Sequence, residues 1–98
     1  MSFIQIIDSR TTKFEEMSAL DEQYEKDTAG RGTYRRSITC RDRNDPDRYL
    51  VMVFFDSYED AMRNSELPET QALAEKMGAL VDGPPSFIDL DILEDKAF

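Results

Sequence analysis

The 98-residue chain has no histidine and no tryptophan, and its only cysteine is Cys40. One cysteine cannot close a disulfide within the chain; this fits a reducing compartment, and a cytoplasmic location is expected. With no imidazole to activate it, Cys40 would need a thiolate held by nearby positive charge, such as Arg36 and Arg41, to act as a nucleophile. Its alternation with Ile38 instead predicts a small packed core residue. Positive charge is scarce: 12 bases face 21 acids, a net charge of −9, which argues against nucleic acid or an anionic membrane as partner. The opening MSFIQIIDSR lacks the charged and long apolar regions of a leader and reads as strand, with neither signal peptide nor membrane span. The length suits one domain, residues 1–98, whose modest core makes burial against a second copy attractive.

The rest of the chain is organised around RYLVMVFFDSYEDAM, residues 48–62. Tyr49, Val51, Val53 and Phe55 alternate with Leu50, Met52 and Phe54, so this is a strand apolar on both faces, which belongs in the middle of a sheet. Ser57 and Asp60 then have the spacing of a helix-capping pair. Upstream, Phe3–Asp8 is a second nearly apolar strand. Thr12 and Glu15 form a capping box for an amphipathic helix that buries Phe14, Met17, Leu20 and Tyr24 and ends near Gly30. Glu15, Glu16, Asp21, Glu22 and Glu25 form its wet face. Thr33–Arg41 is a polar edge strand with Tyr34, Arg36, Ile38 and Cys40 on one side. The following RDRNDPDR is a surface turn. Pro68 opens a further helix carrying Leu73, Met77, Leu80 and Val81, stopped by Asp82-Gly83-Pro84-Pro85, and Ser86–Leu93 is the last strand.

The order βαββαβ predicts an α+β, ferredoxin-like fold, a four-stranded antiparallel sheet with helices on one face. The first and third strands fall in the centre. The uncovered face is then a homodimer contact, sheet against sheet. Six arginines (Arg31, Arg35, Arg36, Arg41, Arg43 and Arg48) sit on or beside the second strand, while Asp89, Asp91, Glu94 and Asp95 mark the last. A two-fold dimer could bring these opposite edges together.

RYLVMVFFDSYEDAMRNSELPETQALAEKM and DGPPSFIDLD carry a resemblance to the dimeric α+β barrel superfamily, and within it to the antibiotic-biosynthesis-monooxygenase-like proteins. The resemblance implies the same fold and dimer. It also implies cofactor-independent oxygenation, in which an electron-rich phenol or enol supplies the reducing power and the protein supplies a dry pocket and a polar group. Haem-degrading relatives use a first-strand asparagine with histidine and tryptophan; this chain has Gln5 on that strand and neither of the other two. The histidine of related cyclases and isomerases is absent as well.

Candidate site residues follow from this. Phe14, Met17, Tyr24, Phe54, Phe55, Met62, Met77 and Phe87 are large or adaptable side chains able to line a helix–sheet pocket. Tyr34, Asn64, Arg36 and Tyr24 are the polar groups able to orient a carbonyl or phenolate. Asp89 and Asp91 share one strand face, but their alternation fits an exposed edge better than acid–base work. Asp42, Asn44, Asp45 and Asp47 lack the glycine and distal glutamate of a calcium loop, so no metal is expected. No cofactor is expected either. The reading is a cofactor-independent monooxygenase-like protein for a small aromatic or polyketide-like molecule, and the alternative is a non-catalytic small-molecule-binding or dimerisation protein of the same fold.

Overall fold

A computed structural model describes residues 2–98. Its elements are β1 (Phe3–Arg10), α1 (Phe14–Asp27), β2 (Tyr34–Asp42), β3 (Asp45–Phe55), α2 (Tyr58–Ser65), α3 (Pro68–Gly78) and β4 (Ser86–Asp91). The strands form one antiparallel sheet in the order β2-β3-β1-β4, with the helices on one face. This is the split βαβ arrangement, its second helical unit divided at Glu66-Leu67. The two strands apolar on both sides are the central pair, because only central strands are flanked on both edges and can be covered above and below.

Register fixes the two faces. Phe3, Gln5, Ile7 and Ser9 of β1 lie opposite Phe55, Val53, Val51 and Tyr49 of β3 on the helix-facing side. Phe3 and Phe55, ring centroids 6.3 Å apart, form the buried core with Ala61 of α2, and Tyr34 and Val53 pack against them. Burying each of these phenylalanines contributes about 1.5–3 kcal/mol. The bare side carries Ile4 and Ile6, Leu50, Met52 and Phe54, Ile38 and Cys40, and Ile88 and Leu90. Cys40, expected in the core, lies half-buried on this face, where no helix covers it.

One irregularity moves a predicted residue. The β2–β3 register shifts between Tyr34 and Arg36, so Tyr34 pairs with Phe55 while Arg36 pairs with Phe54. Arg35 is the extra residue, and its Nε bonds Asp56 at 2.9 Å. Tyr34 therefore faces the helices and Arg36 the bare side, where its guanidinium sits 5.6 Å over the Phe54 ring. Strict alternation placed the two on one face; a bulge inverts every side chain beyond it.

The ends of the elements show what the local signals decided. Ser57 caps α2, its Oγ accepting from the Asp60 N–H at 3.1 Å, an interaction generally worth about 1 kcal/mol. The Thr12–Glu15 box does not form. Lys13 is the N-cap of α1 and makes no side-chain cap. Support comes from buried Thr11, whose Oγ1 accepts from the Lys13 N–H at 2.9 Å and donates to the Leu80 carbonyl at 2.7 Å. Thr11 can make both bonds because it also faces α3's exit, whereas Thr12 is exposed. α1 stops at Asp27, with Gly30 (φ +82°) reversing the chain. The surface turn before β3 is shorter than RDRNDPDR: the strands close directly around Arg43-Asn44, and Pro46 lies at the start of β3, where a missing N–H is tolerated. α3 ends at Gly78, ahead of the Asp82-Gly83-Pro84-Pro85 stop, and β4 ends at Asp91.

Arg48 ties three strands together at one end of the bare face, donating to Asp8 of β1 at 2.7 Å and to Asp42 of β2 at 3.0 Å. Its hydrogen bond holds the Asp8 carboxyl below the usual carboxylate range; for Asp42 the Asn44 backbone N–H contributes most, then Arg48. Arg31 pairs with Glu69. Three of the six clustered arginines (Arg31, Arg35 and Arg48) are thus matched by acids of their own chain, which leaves less free positive charge on that edge than the sequence suggests.

Candidate functional site

α1 reaches the sheet at both ends. Phe14 stacks on Tyr49 of β3 with ring centroids 4.5 Å apart, and Thr28, directly after the last turn, bonds the Tyr34 hydroxyl at 2.7 Å. Between them α1 runs along α3, and α2 is the helix whose backbone lies against the strands. The sheet beneath the middle of α1 is not sealed. Phe3 and Phe55 are buried at one end and Ser9 and Thr11 at the other, yet Gln5, Ile7, Val51 and Val53 between them keep partial exposure. Central-strand residues under a helical layer ordinarily lose it. Beneath α1 the sheet thus offers an incompletely covered apolar patch of Ile7, Val51 and Val53 with one polar group, Gln5, bonded to Asp89 at 3.3 Å.

A hydrogen-bonded cluster stands at the Phe3–Phe55 end. Asn64 of α2, 7% exposed, accepts from the Thr33 backbone N–H at 3.2 Å and donates through Nδ2 to the Tyr24 hydroxyl at 3.0 Å. The Tyr24 hydroxyl, accepting there, also shares a hydrogen bond with Thr70 Oγ1 at 2.7 Å. Thr28 donates to the Tyr24 carbonyl at 2.7 Å, so it must accept from the Tyr34 hydroxyl. The two tyrosine rings lie 5.8 Å apart. The Tyr34 proton is committed to Thr28, and the second N–H of Asn64 is a donor left over.

The structure therefore brings Tyr24, Tyr34 and Asn64 together and leaves Arg36 on the opposite side of the sheet. Of the apolar set, Met17 and Met77 are half-buried on α1 and α3, Phe14 closes over Tyr49, and Phe55 belongs to the core beside the cluster. Phe54 faces the bare side, Met62 is exposed on α2, and Phe87 is 59% exposed on β4. Pattern reading missed Thr28, Thr33 and Thr70, small hydroxyls whose value lies in contacts between elements. It also placed Asp21 on the wet face. Asp21 is half-buried, and its carboxyl is pushed up from the ordinary value by burial first, then by Glu25 and Glu22. A separate shallow trough between α1 and α3 on the outer surface is lined by Leu20, Ala72 and Leu73 and rimmed by Gln23, Glu69 and Lys76. Among the described residues no group of acids and Cys40 could hold a metal ion, and no helix is long and apolar enough to cross a membrane.

No protein-family model matches this sequence, and no curated protein does. Solved structures do. SnoaB, a cofactor-independent oxygenase from Streptomyces nogalater solved as a point mutant, superposes with a TM-score of 0.81 at 12% identity, covering 96% of this chain and 95% of its own. Rv0793 from Mycobacterium tuberculosis gives 0.79 at 12% identity over 99% and 100% of the two chains. A Nitrosomonas europaea protein provisionally named an antibiotic biosynthesis monooxygenase gives 0.79 at 11%, over 98% and 94%. The chain shares its fold with these structures. At these identities the likeness covers the path of the backbone from end to end, and the chemistry must be argued from the site itself.

Proposed function

We propose that the chain is a cofactor-independent monooxygenase that takes a small aromatic or polyketide-like molecule into the helix–sheet cleft, and that it works as a homodimer joined through the bare sheet faces. The observation that carries the reading is the Tyr24–Tyr34–Asn64 cluster beside an incompletely filled apolar floor. Apolar walls exclude water, and the spare Asn64 N–H is a fixed donor for the oxygen of an enolate or phenolate, whose charge it stabilises more strongly there than in water. For an anthrone-type substrate the balance is a methylene plus O2 giving a carbonyl plus water. The substrate supplies the electrons, one oxygen atom enters the product, and the other leaves as water. The SnoaB fold is one precedent for such chemistry without a cofactor. For the dimer, the support is the apolar bare face, on which Ile88 and Leu90 are each 43% exposed.

Oxygen uptake with an anthrone-type substrate tests this. Wild type is expected to turn over, Asn64→Ala to lose about 100-fold in kcat, and Tyr34→Phe to lose less, because its proton is held by Thr28. A specific observation favours the non-catalytic alternative: every buried side-chain polar atom among the described residues already has a partner, as in a cluster built only to join helices. Ligand binding without oxygen uptake across a panel of phenols and anthrones would establish that alternative.

A further inference from the structure

We propose that Asp21 is the proton acceptor of the cleft, its carboxylate taking the acidic proton of the bound molecule. The inference rests on the oxygenase reading for its place in a reaction, and on α1 for its geometry. Phe14, Asp21 and Thr28 are spaced by seven residues, two helical turns, so they share one line along the helix surface. The two outer members touch the sheet, Phe14 on Tyr49 and Thr28 on Tyr34. That spacing places Asp21 between the two anchor points, on the side of α1 turned to the half-exposed Ile7, Val51 and Val53, with Tyr24 of the polar cluster one turn further on. Asp21 makes no hydrogen bond or ion pair among the described residues. Thr28, the other polar member of this line, is used in packing, whereas the half-buried Asp21 carboxylate keeps its oxygens open to solvent or to a bound molecule.

Its surroundings suit a base. On its own helix Glu22 and Glu25 are the nearest charges, and both raise its proton affinity. On the helix-facing side of the sheet the titratable groups are Arg41, Tyr34, Tyr49 and Asp47 with Asp89 and Asp91 at the β4 edge, and none of these pairs with Asp21. From α3, Glu69 and Lys76 face α1 across the outer trough, Glu69 already paired with Arg31, while the half-buried Thr70, Leu73 and Met77 carry no charge. A carboxyl shifted upward is a stronger base than one in water once it has ionised.

The step is a proton transfer. The substrate C–H bond breaks, the proton goes to an Asp21 carboxylate oxygen, and the electron pair stays on the substrate as an enolate held by the Asn64 N–H. In oxygenation, Asp21 returns that proton to the departing water. Without oxygen it exchanges the proton with solvent and hands it back.

That last property separates this proposal from the oxygenase reading. The test is solvent deuterium exchange into the methylene of an anthrone under anaerobic conditions, followed by NMR, with wild type, Asp21→Asn and a no-protein control. Wild type is expected to accelerate exchange at least about 100-fold over Asp21→Asn, with a rate that rises with pH as Asp21 ionises and then levels. Asp21→Asn is expected to fold and to melt above the wild type at neutral pH. The sign follows from a folded pKa above the unfolded one: the ionised carboxylate weakens the fold as pH rises through that window, and Asn removes the effect. Equal exchange by wild type and variant, or none by either, overturns the proposal while Asn64-dependent oxygen uptake keeps the oxygenase. Exchange that depends on Asp21 without any oxygen uptake supports Asp21 and removes the oxygenase reading.

Discussion

Replacing Phe55 by alanine is expected to cost about 3–5 kcal/mol of unfolding free energy, the range for a buried phenylalanine lost from a packed site. Phe55 is 3% exposed, ends the central strand, and joins Phe3 of the neighbouring strand to Ala61 of α2. These are the described hydrophobic residues buried most completely, so the cavity has no second layer to collapse into. Small domains typically hold about 5–15 kcal/mol in all, so the variant should lose a large fraction of its stability and unfold at much lower urea. Phe55→Leu, which leaves less empty volume, should retain more stability. Urea unfolding measures both. A loss under about 1 kcal/mol for the alanine variant would mean that the core lies elsewhere.

The second large effect is expected at Met52. Its side chain stands at the centre of the bare face, opposite Ile6 on one side and Ile38 on the other. Met52→Asp would put an unpaired carboxylate into the proposed sheet-to-sheet contact twice over, because a two-fold interface repeats every residue. A single uncompensated buried charge costs about 3–5 kcal/mol, so the dimer constant should weaken by more than about a thousandfold. The monomer loses little, since this face is open in a single copy. Sedimentation velocity should show wild-type dimer, Met52→Asp monomer, and unchanged dimer for Ser37→Asp on the helix-facing side. A wild type that is monomeric at micromolar concentration contradicts the role given to the bare face.

The sheet was legible in the sequence because burial on two sides leaves a mark at every position. Leu50 to Phe55 could only be central, and the polar second strand could only be an edge. The site was harder to see for local reasons. Around Arg35 the strand is polar on both faces, so no hydrophobic signal marks the bulge that sends Tyr34 to the helices and Arg36 away. Phe54 and Phe55 are alike in type and opposite in direction. Asp21 sits among Glu15, Glu16, Glu22 and Glu25, and only its seven-residue distance from both Phe14 and Thr28 distinguishes it. The hydroxyl that supports the start of α1 is that of Thr11 and not Thr12, because the neighbour that decides it, the Leu80 carbonyl, is distant in sequence.

The central claim is that ligands enter between the helices and the sheet, and the alternation of the strands supplies its own control. Ile7, Val51 and Val53 face the helices, while Ile4, Ile6, Ile38 and Ile88 face the bare side. A methyl-labelled NMR titration with a hydroxyanthraquinone, too oxidised to turn over, reads both sets at once. Shifts at Ile7, Val51 and Val53 with the other four unmoved are the expected result. Shifts confined to Ile4, Ile6, Ile38 and Ile88, or to the leucines of the outer α1–α3 trough, would contradict it.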